Sequence, residues 1–407
     1  MAEPVRVAVT GIGSISSLGH NVGEIWAALE AGKSGIGPLT SIPLDQVNIK
    51  IAAEVKNYDE TKHFDDRELL VYDRYTQFAL LSAKEAVADA GLDFKKDTAL
   101  GLETASIIAS GVGGWSTIDQ AFYNLHKLGK PRSHPLTIPR MMISAAASQI
   151  SMKFGLKGPA FCVSSACSSA NHAIGEAYWM IRTGRARAAL AGGSEASISL
   201  TAQRSWESLR VMASDTCRPF SKDRKGMVLG EGAGVLVLER MDDARKRGAK
   251  IYCEIAGYGL SADAGDIVMP DSDGAARAIR QALETAALNP EDVDYVNAHG
   301  TGTQLNDTTE VTALKSVFGA AAKRLMVTST KSMHGHALGG ASALEAVATV
   351  KAMEQGVVPP TANYLGPAPE CDLDHVPNTA RRVKIRAALS NSLAFGGLNA
   401  VVAFRAA

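Results

Sequence analysis

Apolar, β-branched runs alternate with helical patterns along the whole chain, and no other feature restricts the fold as much. The runs are RVAVTGIG, ASIIASGVGG, AFCVSSA, RAALAGGSE, GVLVLE, VDYVNAHG, LMVTST and IRAALSNS, with helical stretches such as ARAIRQALETAAL and SALEAVATVKAMEQG between them. Strands that alternate with helices predict an α/β fold whose sheets are covered on both faces. A length of 407 residues is enough for two or three domains of ordinary size.

Self-comparison sharpens this expectation. Ala109-Ser-Gly-Val-Gly-Gly aligns with Ala298-His-Gly-Thr-Gly-Thr, 189 residues on, and each follows a predicted strand. Arg187-Ala-Ala-Leu returns as Arg386-Ala-Ala-Leu, 199 residues on and in the same order. Offsets near half the chain length imply a duplicated α/β unit, divided into residues 1–249 and 250–407. The connection ERMDDARKRGAKIYCEI reads as a surface helix leading into a new strand, so two tightly packed halves are expected.

Composition excludes several classes. Lys plus Arg and Asp plus Glu both number 42, which argues against a dedicated nucleic-acid binder or a strongly membrane-attracted surface. MAEPVRVAVTGIG enters a strand pattern at once and lacks the layout of a signal peptide. No apolar run approaches the roughly 20 residues of a membrane span. Five cysteines without paired short spacings argue against a disulfide framework or zinc site, and point to a reducing cytoplasm. Gly11-Ile-Gly13 follows a strand, but the third glycine and acidic partner of a dinucleotide fingerprint are misplaced.

In VSSACSSANHAIG, Cys167 sits among small residues where a strand gives way to a helix. A helix N-terminus lowers a thiol's pKa, and small neighbours admit a substrate and free backbone N–H groups for a reacting oxygen. VNAHGTGTQLND places His299 after a strand, and STKSMHGHALGGASALE places Lys331, His334 and His336 in another strand-to-helix turn. A thiol with two imidazoles suits carbon–carbon bond formation on thioesters: the sulfur takes an acyl group and the imidazoles donate to an enolate. No metal is needed.

These stretches, with DTCRPFSKDRKGMVLGEGAG and SNSLAFGGLNA, resemble the ordered motif set of the elongating, Cys-His-His type of β-ketoacyl-[acyl carrier protein] synthase from residue 5 to about residue 405. SACSSANHAI, GLSADA and VVPPTANY are most similar to the nodulation protein E branch. The resemblance implies a thiolase-like fold, a five-layered αβαβα sandwich, and a homodimer. It implies that Cys167 is the acyl acceptor, with its own N–H and that of Phe395 as oxyanion hole. His299 and His336 would assist malonyl decarboxylation, and Lys331, paired with Glu345, would support them. Asp307 and Glu310 would be supporting residues, while Thr301, Thr303, Val112, Met227, Phe395 and Gly396 would meet substrate. His334 stays outside the catalytic set. Acyl carrier protein would be the partner, bringing phosphopantetheine with it, so the protein needs no cofactor of its own.

Three departures stand out. Relatives commonly read Phe-Gly-Phe-Gly-Gly where this chain has Leu393-Ala394-Phe395-Gly396-Gly397, so Ala394 narrows backbone freedom beside the gate. Val112 and Met227 replace bulkier residues, which implies a reshaped pocket for long or unusual acyl chains. Leu69, Leu70 and Val71 replace charge expected between Arg67 and Arg74, so either carrier docking relies on those arginines and other basic residues or the carrier is an atypical one, and the stretch reads equally as a core-facing helix segment. A degradative thiolase would need a second cysteine in the final glycine-rich loop, which is absent from 393–399. A polyketide ketosynthase shares the motifs, whereas a non-catalytic chain-length partner subunit lacks the nucleophile.

Overall fold

A computed structural model describes residues 5–407; Met1–Pro4, part of the segment compared with signal peptides, lie outside the described residues. The first half carries β1 (Val7–Ser16), α1 (Arg74–Asp89), β2 (Thr104–Ala109), α2 (Ala145–Phe154), β3 (Ala160–Phe161), α3 (Ser169–Arg182), β4 (Ala188–Glu195) and β5 (Gly232–Arg240). The second carries β6 (Cys253–Ala262), α4 (Ser272–Ala286), β7 (Tyr295–Asn297), α5 (Gln304–Phe318), β8 (Met326–Thr328), α6 (Leu338–Gln355), β9 (Ala387–Ala394) and β10 (Leu398–Arg405). Strand n of the first series corresponds to strand n+5 of the second, and helix n to helix n+3.

Pairing makes the duplication explicit. The sheet order is β8-β7-β9-β10-β6-β1-β5-β4-β2-β3, the same five-strand pattern read inward from both edges. Within each half the outer strands pair in parallel and the inner ones antiparallel. Ala109 and Ala298 lie at the ends of equivalent strands, and Arg187 and Arg386 each precede one. The halves also join directly, because β1 and β6 pair antiparallel through Val7, Ala8 and Val9.

Helices α1 and α2 cover the first half-sheet, α4 and α5 cover the second, and α3 and α6 lie between the two. This is the five-layered αβαβα sandwich of the thiolase-like fold. Ile174, Ala177 and Ile181 of α3 and Ala343, Val347 and Val350 of α6 share one core with Ile107, Leu236, Ile255 and Val402. Between the two sheets, α6 is buried all round from Leu338 to Val350 and is mostly small and aliphatic there, whereas α3 keeps His172, Glu176 and Trp179 along one partly exposed stripe. No helix among the described residues is long and apolar enough to cross a membrane.

Gly11-Ile-Gly13 has a packing role. A Cβ on Gly11 would lie 2.2 Å from the Ala86 carbonyl oxygen, and one on Gly13 1.9 Å from that of Ser82, both in α1. The equivalent strand repeats the device: Gly257 and Gly259 of β6 would meet the Ala282 and Ala278 carbonyls of α4 at 2.4 and 2.1 Å. These glycines let each outer helix sit directly on its strand. Gly13→Ala and Gly259→Ala should each destabilise the protein by about 1–3 kcal/mol, the usual cost of overpacking, as a lower urea midpoint with unchanged m-value.

Candidate active site

Cys167 lies two residues before α3, and His336 two residues before the equivalent helix α6. The duplication therefore brings two helix N-termini, one from each half, to the same place. The sulfur of Cys167 is 3.2 Å from His336 Nε2. A nitrogen of His299 completes the cluster, with all three side-chain atoms within 4.8 Å of one another. The two imidazoles stand edge to face, their centroids 5.4 Å apart.

A buried charge orders these rings. Lys331 Nζ donates to the His299 carbonyl at 2.6 Å and to Glu345 Oε1, and stands 3.3 Å from His299 Nδ1. An ammonium can only donate, so Nδ1 accepts and the ring proton belongs on Nε2. Burial holds both imidazoles well below the ordinary histidine range, and Lys331 depresses each further. Both are therefore neutral donors or acceptors at neutral pH. A Cys-His-His set also has the donor types of a zinc site, but the neighbouring ammonium opposes a divalent cation and already engages His299.

Burial pushes the Cys167 thiol up to about 11, against the pull of Lys331 and of the backbone N–H groups of Phe395 and Cys167 itself. Those two N–H groups face the sulfur, where an oxygen developing on an attacked carbonyl would sit. Ser392 Oγ, on β9, donates to the Cys167 carbonyl at 2.9 Å and ties the turn to the second half.

The carboxylates behind the site organise backbone. Glu310 accepts from the N–H groups of His299 and Gly300 at 2.9 and 2.8 Å and from Asn391 at 3.2 Å. Asp307 accepts from the Phe220 N–H at 2.7 Å and from Gly302 and Asn306 at 3.2 Å. His334 donates to or accepts from Thr330 Oγ1 at 2.9 Å and contacts the Gly335 carbonyl, away from the cluster.

A cavity of about 320 Å³ reaches Cys167, lined by Trp206, Arg224, Met227, His299, Thr301, Thr303, His336 and Phe395 among others. Thr301 and Thr303 share a hydroxyl contact of 2.9 Å on its wall. Phe395 stacks on Trp206, with centroids 5.8 Å apart. Sequence reasoning passed over Trp206, and over Arg224, whose buried guanidinium reaches Gln304, Thr308 and Glu370. The motifs containing Arg224, Asn391 and Ser392 were visible, but their partners lie far away in sequence.

Val112 is half-buried and is not among the residues that line this cavity; its N–H faces Glu195, which also accepts from Gly111 and Gly339 at 2.7 and 3.1 Å. Gly396 follows Phe395 in a turn with φ 80°, its N–H donating to the Ile267 carbonyl. Ala394 ends β9 opposite Leu398 in extended backbone, which alanine adopts without strain. Arg74 is not a free docking cation, since it bonds Glu231 at 2.7 Å and stacks over Tyr58 and Phe78.

Comparison with known proteins matches this architecture. Residues 5–244 fit the family described as "Beta-ketoacyl synthase, N-terminal domain", and residues 252–365 the corresponding C-terminal domain. The chain belongs to the β-ketoacyl synthase family. As a β-ketoacyl synthase it is a condensing acyltransferase. It is 49% identical to Nodulation protein E of Rhizobium sp. (strain N33), across 98% of this chain and 99% of that one. It is 40% identical to 3-oxoacyl-[acyl-carrier-protein] synthase 2 of Staphylococcus aureus (strain MRSA252), across 100% of this chain and 99% of that one. The solved ishigamide ketosynthase/chain length factor superposes with a TM-score of 0.94 at 36% identity, covering 99% of this synthase and all of its own chain.

Two outcomes follow from the buried charges. Lys331→Met leaves Glu345 buried without its partner and should cost about 3–5 kcal/mol; Lys331→Met with Glu345→Leu should recover most of that in urea unfolding while activity stays low. Because the thiol is raised, its thiolate fraction is small at pH 7. Iodoacetamide alkylation of Cys167, followed by peptide mass, should therefore climb about tenfold per pH unit from 7 to 9 without levelling.

Proposed function

We propose that this β-ketoacyl synthase takes an acyl chain from acyl carrier protein onto Cys167 and lengthens it by two carbons from malonyl carrier protein. The observation that carries the proposal is the meeting of the Cys167 sulfur with two neutral imidazoles at the foot of a largely apolar cavity.

In the first half-reaction the sulfur attacks the thioester carbonyl, and the backbone N–H groups of Cys167 and Phe395 receive the oxyanion. The thiol proton passes through His336 to the departing phosphopantetheine sulfur, leaving acyl-Cys167. In the second, the malonyl thioester carbonyl accepts hydrogen bonds from His299 and His336. The bond to its carboxylate breaks, carbon dioxide leaves, and the electron pair becomes an enolate held by those bonds. Its carbon attacks the acyl carbonyl, the Cys167 sulfur departs and takes up a proton, and 3-oxoacyl carrier protein is released.

Lys331 keeps His299 in the donating tautomer, with Glu345 balancing its charge. Glu310 and Asp307 hold the loop bearing His299, Thr301 and Thr303, whose hydroxyls are suited to the phosphopantetheine arm. The chain needs no cofactor of its own for this sequence of steps. A cytoplasmic homodimer, with residues 1–249 supplying the nucleophile and 250–407 the histidines, is the form we assign to it. The presence of Cys167, His299 and His336 together disfavours a chain-length partner subunit. Met227 on the cavity wall supports acceptance of long or unusual acyl chains.

Intact-protein mass after incubation with carrier proteins charged with short to very long chains tests this. Wild type should gain one acyl group and Cys167→Ala none. Met227→Phe should shorten the longest chain accepted; loading confined to short chains in wild type would reject the long-chain assignment.

A further inference from the structure

Ala166, immediately before the nucleophile, has φ 50°, in the left-handed region that residues with a Cβ rarely occupy. This strained residue turns the chain into α3 and aims the Cys167 sulfur, and it persists only if its neighbours hold it. Three side chains of the helix's first turns do so. Ser169 Oγ accepts from the Ser165 N–H at 2.8 Å and donates to the Ala166 carbonyl at 2.6 Å. Ser168 Oγ donates to the Ser165 carbonyl at 2.9 Å. His172 Nδ1, one turn further on, is 2.9 Å from Ser165 Oγ and 3.1 Å from the Ser168 carbonyl.

A carbonyl oxygen only accepts, so the Nδ1 position carries the ring proton and can share it with Ser165 Oγ. Tyr258 of β6 meets the ring edge to face, with centroids 6.2 Å apart and an interplanar angle of 84°. His172 thus joins the turn that presents the thiol to the half of the protein that supplies the catalytic imidazoles. It does not line the cavity.

We propose that His172 is a positioning residue for Cys167, acting through Ser165 to fix the turn at Ala166. This rests on the reading of Cys167 as acyl acceptor. Fixing the sulfur governs its attack on a thioester, where a misplacement of about 1 Å can cost a hundredfold. Decarboxylation of a malonyl thioester depends instead on His299 and His336, which His172 does not touch.

The test separates the two half-reactions in the full-length protein. Rapid-quench acyl transfer from acyl carrier protein to Cys167 is followed by mass, and carbon dioxide release from malonyl carrier protein is measured without acyl donor. His172→Ala should slow acyl transfer about tenfold, with KM and carbon dioxide release each within about twofold of wild type. His172→Asn, whose amide N–H takes the place of Nδ1–H, should restore most of the rate. Acylation by His172→Ala at the wild-type rate, no recovery with asparagine, or an equal fall in both half-reactions would overturn the proposal. If His172→Ala does not fold, Ser165→Ala carries the same expected split and decides. A wild-type protein that accepts no acyl group refutes the acyl-acceptor reading itself. Iodoacetamide alkylation of Cys167 then judges the positioning claim: a slower rate in His172→Ala sustains it and an equal rate rejects it.

Discussion

Two helices enclosed between the half-sheets set the terms for everything else in this protein. Most residues of α3 and α6 are buried there, and the N-termini of both open at an interior place that the two halves share. Their small-residue composition lets the sheets close on them, while the glycines of β1 and β6 let the outer helices close on the sheets. Duplication then accounts for the site: the turn before one buried helix carries the sulfur, and the turn before its counterpart carries an imidazole.

Such a place has little water, and the polar groups there are organised accordingly. Lys331 lies wholly inside the protein, matched by Glu345 and by a backbone carbonyl, so its charge can order His299 without being screened. Glu310, Asp307 and Glu195 follow the same rule, each spending its oxygens on backbone N–H groups of the loops that bear functional residues. Burial raises the carboxyls and the thiol and lowers the imidazoles, so the site rests close to electrical neutrality. Its chemistry relies on aimed dipoles more than on standing charge.

Much of this was legible in the chain. The alternation of strand and helix patterns predicted the layers, and two short internal matches fell on topologically equivalent strands. Cys167, His299, Lys331 and His336 stood out because each sits at a strand-to-helix turn among small residues. Residues defined by partners distant in sequence did not stand out. Trp206 belongs to an ordinary helical pattern and becomes a cavity wall only when Phe395 arrives against it. Val112 belongs to a motif that ends beside the site, yet the direction in which its loop leaves β2 takes it to Glu195. Arg74 reads as a surface cation until Glu231 and two aromatic rings are placed around it. The direct pairing of β1 with β6 rests on three residue positions, and any strand with an open edge offers the same signal.

The stack of Trp206 on Phe395 has a consequence for the loaded enzyme. Under the proposed function an acyl group on Cys167 would have to outlast the departure of one carrier and the arrival of the next, and a thioester in contact with bulk water would be open to hydrolysis during that wait. With Cys167 only 6% exposed and the Trp206–Phe395 pair on the cavity wall, hydroxide would have little access to that carbonyl. An enolate formed there would gain from the same shelter, since a carbanion denied solvent protons survives long enough to find its electrophile. On that reading the shape of the entrance works against futile turnover.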